Sequence, residues 1–145
     1  MPFFEASQSA IDQFADALWL EDGLSRNTLS AYRSDLRHFA HWLAAQAPPL
    51  ALDAAAEHHI QAYFSARHHG TRATTANRRL TVLRRYFHWA LRERRIAADP
   101  TARLQAARQA LRVPKTLSMA QVEALLAAPD VRAALGMRDR SMLEL

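Results

Sequence analysis

Apolar residues recur along most of the chain at spacings of three and four, and no stretch alternates with the period of two that marks a strand. Ile11, Phe14, Ala15 and Leu18 make one stripe and predict a first helix over about 10–21. Ser9 is placed to cap it, with Asp12 three residues on, and Asp22-Gly23 stops it. Leu29, Tyr32, Leu36, Phe39 and Leu43 predict a second helix over about 26–46, capped by Ser25 and closed by Pro48-Pro49. Ile60, Tyr63 and Phe64 give a third over about 55–68, started near Asp53 or Glu57 and ended by Gly70. The fourth and longest, about 72–95, carries Ala76, Leu80, Leu83, Phe87, Ala90 and Leu91 on its apolar face.

Asp99-Pro100 breaks the helical pattern. Residues 101–116 read as a short helix followed by an extended linker, because Pro114 opposes helix at its own position and at Val113. Ser118 and Gln121 form an S-x-x-Q capping box that starts a new helix through Val122, Leu125 and Leu126 to Pro129. A last helix is expected from about Asp139, and its apolar MLEL pattern stops at Leu145. The expected fold is all-α, with a helical domain at 1–104, a linker at 105–116 and the first helices of a truncated second domain at 117–145. An interrupted pattern of this kind predicts a piece of a longer protein.

Composition narrows the function. Half of the 145 residues are hydrophobic, enough for a packed core, and there is no cysteine, which removes disulfides, thiolate zinc sites and thiol catalysis from this stretch. No apolar run approaches the roughly 20 residues that cross a bilayer, and the acidic N-terminal segment is unlike a targeting signal. A cytoplasmic protein without membrane attachment is expected.

The net charge of +5 conceals a strong asymmetry. Residues 1–65 carry three arginines against eight acids, residues 66–115 carry twelve arginines and one lysine against two acids, and residues 116–145 carry three arginines against four acids. On the second helix, Arg26, Arg33, Arg37 and His41 fall together about a third of a turn from the core stripe, with Asn27, Ser30 and Ser34 among or beside them. On the fourth, Arg78, Arg85 and Arg92 recur every seven residues and line up within about 40°, flanked by Thr74, Thr81 and His88. Arginine reaches phosphate and guanine, and short polar side chains let a helix approach a groove. Two such faces predict binding of double-stranded DNA. A solvated surface is the plainer reading of either helix alone.

Candidate chemistry is thin. His38/His41, His58-His59 and His68-His69 match no recognisable metal-ligand set. Asp12 and Asp16 read as surface charge in the first turns of a helix. Three glycines form no phosphate loop. Tyr32, Tyr63 and Tyr86 lie on or near apolar faces and read as structural. Trp89 lies opposite the centre of its apolar face and is expected to be exposed or covered by a neighbour.

The stretches DALWLEDGLSRNTLSAYRSDLRHFAHWL (16–43) and TANRRLTVLRRYFHWALRERRIAADPTARL (75–104) resemble the N-terminal core-binding domain of tyrosine site-specific recombinases, of the phage-integrase superfamily. VPKTLSMAQVEALLAAP (113–129) and GMRDRSMLEL (136–145) resemble the opening of that family's catalytic domain. The resemblance covers nearly the whole chain in the right order. It implies a four-helix SAM-like core-binding domain whose helices at 26–46 and 72–95 lie near the major groove. It also implies a linker passing along the duplex, where Arg108, Arg112 and Lys115 meet phosphate. The implied chemistry is attack of a tyrosine on the scissile phosphate through a 3′-phosphotyrosyl intermediate, with neither ATP nor a metal as cofactor. The parent is expected to resolve chromosome dimers as a tetramer of two related subunit types on two duplexes. The family's first catalytic arginine follows the RD-x-x-MLEL word, so no catalytic residue is assigned to this chain. A phage or transposon integrase, a stand-alone helical DNA-binding regulator and a protein-interaction bundle are the alternatives.

Overall fold

The structure is a computed structural model that describes residues 2–108, 116–133 and 135–145. Two compact units, Met1–Gln109 and Ala110–Leu145, divide the chain. The first contains α1 (Pro2–Asp22), α2 (Arg26–Ala44), a 3-10 turn at Leu52–Ala54, α3 (Glu57–Ala66) and α4 (Ala73–Arg92). The second contains α5 (Met119–Ala127) and α6 (Gly136–Glu144). The fold is all-α, and no strand occurs among the described residues.

One apolar core organises the first unit. Ile11, Phe14, Ala15 and Leu18 of α1 close on Leu29, Leu36, Phe39 and Leu43 of α2, with Leu52, Ile60 and Tyr63 from the far side. From α4 come Leu80, Val82, Leu83, Tyr86, Phe87, Trp89 and Ala90. Phe14 sits among aromatic rings, with centroids 5.4 Å from Tyr86 and 5.5 Å from Trp89. Trp89 is therefore covered, at 9% exposure, by α1. The apolar face of α4 is broader than the periodicity implied, while Leu91, expected inside, is 39% exposed.

Helix ends follow the cap chemistry in two places and depart from it elsewhere. Ser25 accepts from the Thr28 amide at 3.3 Å, and Ser118 with Gln121 forms the reciprocal capping box of α5. Ser9, however, lies inside α1, which starts eight residues earlier than expected. Proline is at home in a first helical turn, and Ser7 anchors this added turn by donating to the Phe3 carbonyl at 2.8 Å while accepting from the Leu52 amide at 2.9 Å. Asp12 and Asp16 are accordingly mid-helix residues, outside the reach of the N-terminal dipole. α6 starts at Gly136 rather than near Asp139; a Cβ there would stand 1.7 Å from the Asp130 carbonyl, so only glycine fits.

The expected short helix after Pro100 does not form in residues 101–108. Instead Asp99 accepts from the Thr101 amide at 2.7 Å and its hydroxyl at 2.6 Å, which closes a turn. α4 ends through Arg94, whose φ of 57° is held by return of the Arg95 amide to Ala90 at 2.9 Å. The Arg95 guanidinium then binds Asp53 and Gln13 and stacks 5.5 Å from the Trp89 ring centroid. Asp53 also accepts from the Tyr86 hydroxyl. Burial, together with that hydrogen bond, raises the Tyr86 pKa far above its ordinary value.

At the start of α3 a histidine completes the cap. The Ala56 amide donates to His59 Nδ1 at 3.0 Å, which requires an unprotonated Nδ1. Burial and the neighbouring His58 lower the pKa of His59. The unfolded chain therefore takes up this proton first, and the contribution of His59 to stability, full above the unfolded value near 6.5, is lost as pH falls through the folded value. His59→Ala is expected to cost about 1 kcal/mol above that range and to flatten the pH dependence of urea denaturation; an unchanged slope would contradict this cap.

Candidate nucleic-acid interface

The structure distributes the candidate residues over the exposed sides of α2 and α4 and joins the two helices at one seam. Asp35 of α2, only 8% exposed, receives Arg78 of α4 at 2.8 and 3.0 Å. Arg79 lies 3.8 Å from the same carboxylate. Lower on α4, Arg85 donates to the Tyr32 hydroxyl at 3.3 Å and lies 5.7 Å from that ring's centroid. A buried carboxylate needs such partners, because its desolvation is otherwise costly. The seam thus fixes the basic face of α4 against that of α2.

The two stripes do not face water as free charges. Arg33 lies 3.4 Å from both Asp12 and Asp16, and Arg37 donates to Gln8 at 2.8 Å. Arg85 pairs with Asp22. Arg92 grips Glu21 through two bonds of 2.7 and 2.8 Å and also reaches Glu93 at 3.2 Å. The bonds to Glu21 and then Glu93 raise the Arg92 pKa further above its ordinary value. α1 thus lays a row of acids beside both helices, so the basic stripes read from the helical wheel are partly ion-paired. Among the described residues Arg26 makes no ion pair, and Asn27, Ser30 and Thr74 are exposed.

Two shallow grooves follow from this arrangement. One, of about 400 Å³, is lined by Ser30, Arg33, Ser34, Arg37 and His41 of α2 and by Phe4 of α1. The other, of about 530 Å³, gathers Thr81, Arg85, His88 and Arg92 with Glu21 and Asp22. Thr81 turns its hydroxyl back to the Asn77 carbonyl at 2.9 Å, so that hydroxyl is engaged by its own helix. Arg108 is exposed beside the start of α4, and Arg112 and Lys115 lie outside the described residues.

Sequence reasoning missed the four α1 acids that hold these arginines, and it missed Asn77 and Arg84. The acids carried a signal, since Asp12, Asp16, Glu21 and Asp22 all lie on a helix with no arginine or lysine. Asn77 carried none beyond being an amide within a basic run. Tyr63 and Tyr86 are buried in the core, and burial raises the Tyr63 pKa, so neither is presented to a substrate. No helix of the described residues is long and apolar enough to cross a membrane.

Residues 11–94 match the family described as "Phage integrase, N-terminal SAM-like domain". The chain belongs to this family, within the tyrosine recombinase superfamily. It is 58% identical over its full 145 residues to the tyrosine recombinase XerD of Ralstonia nicotianae, covering 46% of that protein. It is 46% identical over 135 residues to the tyrosine recombinase XerD of Pseudomonas putida, covering 92% of this chain and 45% of that protein. It is 40% identical over 139 residues to the namesake of Vibrio cholerae, covering 95% and 45% respectively. The chain spans about half the length of the curated relatives it matches.

Proposed function

We propose that this chain is the duplex-DNA-binding N-terminal part of a tyrosine recombinase of the XerD type. In this reading residues 1–104 are the core-binding domain, 105–116 the interdomain linker and 117–145 the start of the catalytic domain. The observation that carries it is the seam at Asp35, which locks the arginine and threonine face of α4 beside the polar face of α2. Two helices held in this way suit one major groove and its flanking phosphates. Arg26, Arg33, Arg37 and His41 on α2, and Arg78, Arg85, His88 and Arg92 on α4, supply charge. Asn27, Ser30, Thr74 and Thr81 permit close approach, and Arg108, Arg112 and Lys115 extend the contact along the linker.

The full-length parent would cut and rejoin DNA through a 3′-phosphotyrosyl link. Its energy is kept in the covalent bond, so no nucleotide is consumed. The parent would work with a related, XerC-like subunit in a tetramer on two duplexes to resolve chromosome dimers. Cytoplasmic location follows from that role. This chain contributes binding and no reacting group. Titration against a fluorescent duplex carrying a candidate dimer-resolution site and against a scrambled duplex tests the reading. Weak binding with preference for the site, and no covalent adduct, is expected; strand cleavage by this chain would overturn the assignment.

The α1 acids make a further prediction. Each carboxylate must release its arginine before phosphate can replace it, so the pairs oppose binding. Glu21→Gln with Asp22→Asn is expected to raise duplex affinity about threefold to tenfold at low salt, an effect that shrinks as salt screens exposed charges. Unchanged affinity at low salt would contradict the claim that these pairs oppose binding.

A further inference from the structure

The segment that leaves the four-helix unit is tied back along α4. His88 faces Asp99 at 3.6 Å. One turn earlier on α4, Arg84 donates to the Leu104 carbonyl. Two turns earlier again, Asn77 donates to the Ala107 carbonyl at 3.0 Å and accepts from the Ala107 amide at 2.8 Å. As the chain advances from 99 to 107, its partners step back from 88 to 77, so the segment runs antiparallel to the helix.

These ties differ in kind. A guanidinium or imidazole reaching a single oxygen tolerates sliding. The Asn77 side chain offers one donor and one acceptor in a fixed plane and pairs with both polar groups of a single residue, as an edge strand would. That two-point bond sets the register. The next residue is Arg108, exposed, with its charge placed near the first turns of α4. Between α3, α4 and this segment lies a cleft of about 520 Å³ that includes Arg67, Arg79 and Arg108 and has no carboxylate among the described residues that line it. Among the described residues Arg108 makes no ion pair of the kind that Arg85 and Arg92 make.

Fixing a residue costs backbone entropy, so a cation on an anchored segment contributes more to binding than one on a free segment. We propose that Asn77 is a positioning residue whose side-chain amide sets the register of the exit segment, so that Arg108 stands in the duplex-contacting surface beside α4. This rests on the DNA-binding reading above.

The test uses the whole 145-residue chain with N77A, R108A and the double variant. Two readouts are taken: exchange protection of the Ala107 amide without DNA, and duplex affinity across a salt series. N77A is expected to remove the protection and weaken duplex binding about fivefold. R108A is expected to weaken it similarly and lower the salt slope by about one. The double variant should bind no more weakly than either single one. Ala107→Pro removes the amide donor and leaves α4 untouched, and it should reproduce N77A even if N77A folds poorly. Additive losses, or wild-type binding by A107P, would overturn the proposal. A protected Ala107 amide in a wild-type chain that binds no duplex would overturn the DNA reading, and Arg108's role with it, while leaving the tie itself intact.

Discussion

Phe14→Ala is expected to destabilise the first unit by about 3–5 kcal/mol, the range for removing a large aromatic side chain from a packed core. Phe14 is fully buried and meets the Tyr86 ring edge-on, with an interplanar angle of 82°, and the Trp89 ring at 53°. These contacts join α1 to α4, and the same aromatic cluster continues through Trp89 to Arg95. With no cysteine in the chain, no disulfide can limit the destabilisation. Since small domains have only about 5–15 kcal/mol of stability in total, the variant should melt far below the parent chain in a thermal scan followed at a helical wavelength. Leu91→Ala, at an exposed position on α4, should change little. Equal destabilisation at the two positions would contradict this packing.

The second large effect concerns binding. R78A/R85A/R92A removes three charges from α4, leaves Asp22 and Glu21 without their arginines and leaves Asp35 with Arg79 alone. Each arginine–phosphate pair that the substitutions abolish should lower the dependence of log affinity on log salt by about 0.9. Three such pairs correspond to roughly 10²-fold weaker binding or more near 0.1 M salt, with a slope smaller by two to three. The lysine variant R78K/R85K/R92K keeps the charges and should recover most of the slope. It should recover less of any sequence preference, because an ammonium cannot form the two-pronged contact of a guanidinium. Because Asp35 is nearly buried, a melting curve for each variant separates impaired binding from impaired folding. A fully folded alanine triple variant that binds duplex as the wild type does would remove α4 from the interface.

α2 and α4 were legible from sequence because both requirements of a surface helix were local. Apolar residues recur at three and four, and polar or basic ones fill the opposite arc. Ser25 and the Ser118/Gln121 box were legible for the same reason, since cap and partner lie three residues apart. What was missed is tertiary. The first turns of α1 are held by Ser7 bonding to Leu52, 45 residues away. The burial of Trp89 depends on Phe14, 75 positions earlier in the chain. The acids of α1 looked like solvated charge because their arginines lie on other helices; Glu21 and Arg92 are 71 residues apart. The candidate residues were recognisable as two polar faces, but their mutual placement depends on Asp35, which the periodicity left unassigned. Leu91 shows the opposite error, where a regular pattern extends past the end of the surface that buries it.

Whether the α2 and α4 faces hold duplex DNA largely through phosphate is decided by the affinity of the wild-type chain for a duplex as a function of salt, with circular dichroism recorded on the same samples. Binding should be detectable at low salt and should weaken steeply and linearly in log salt, with a slope corresponding to several phosphate contacts. A folded, helical chain that binds no duplex at low salt would contradict that role for the two faces.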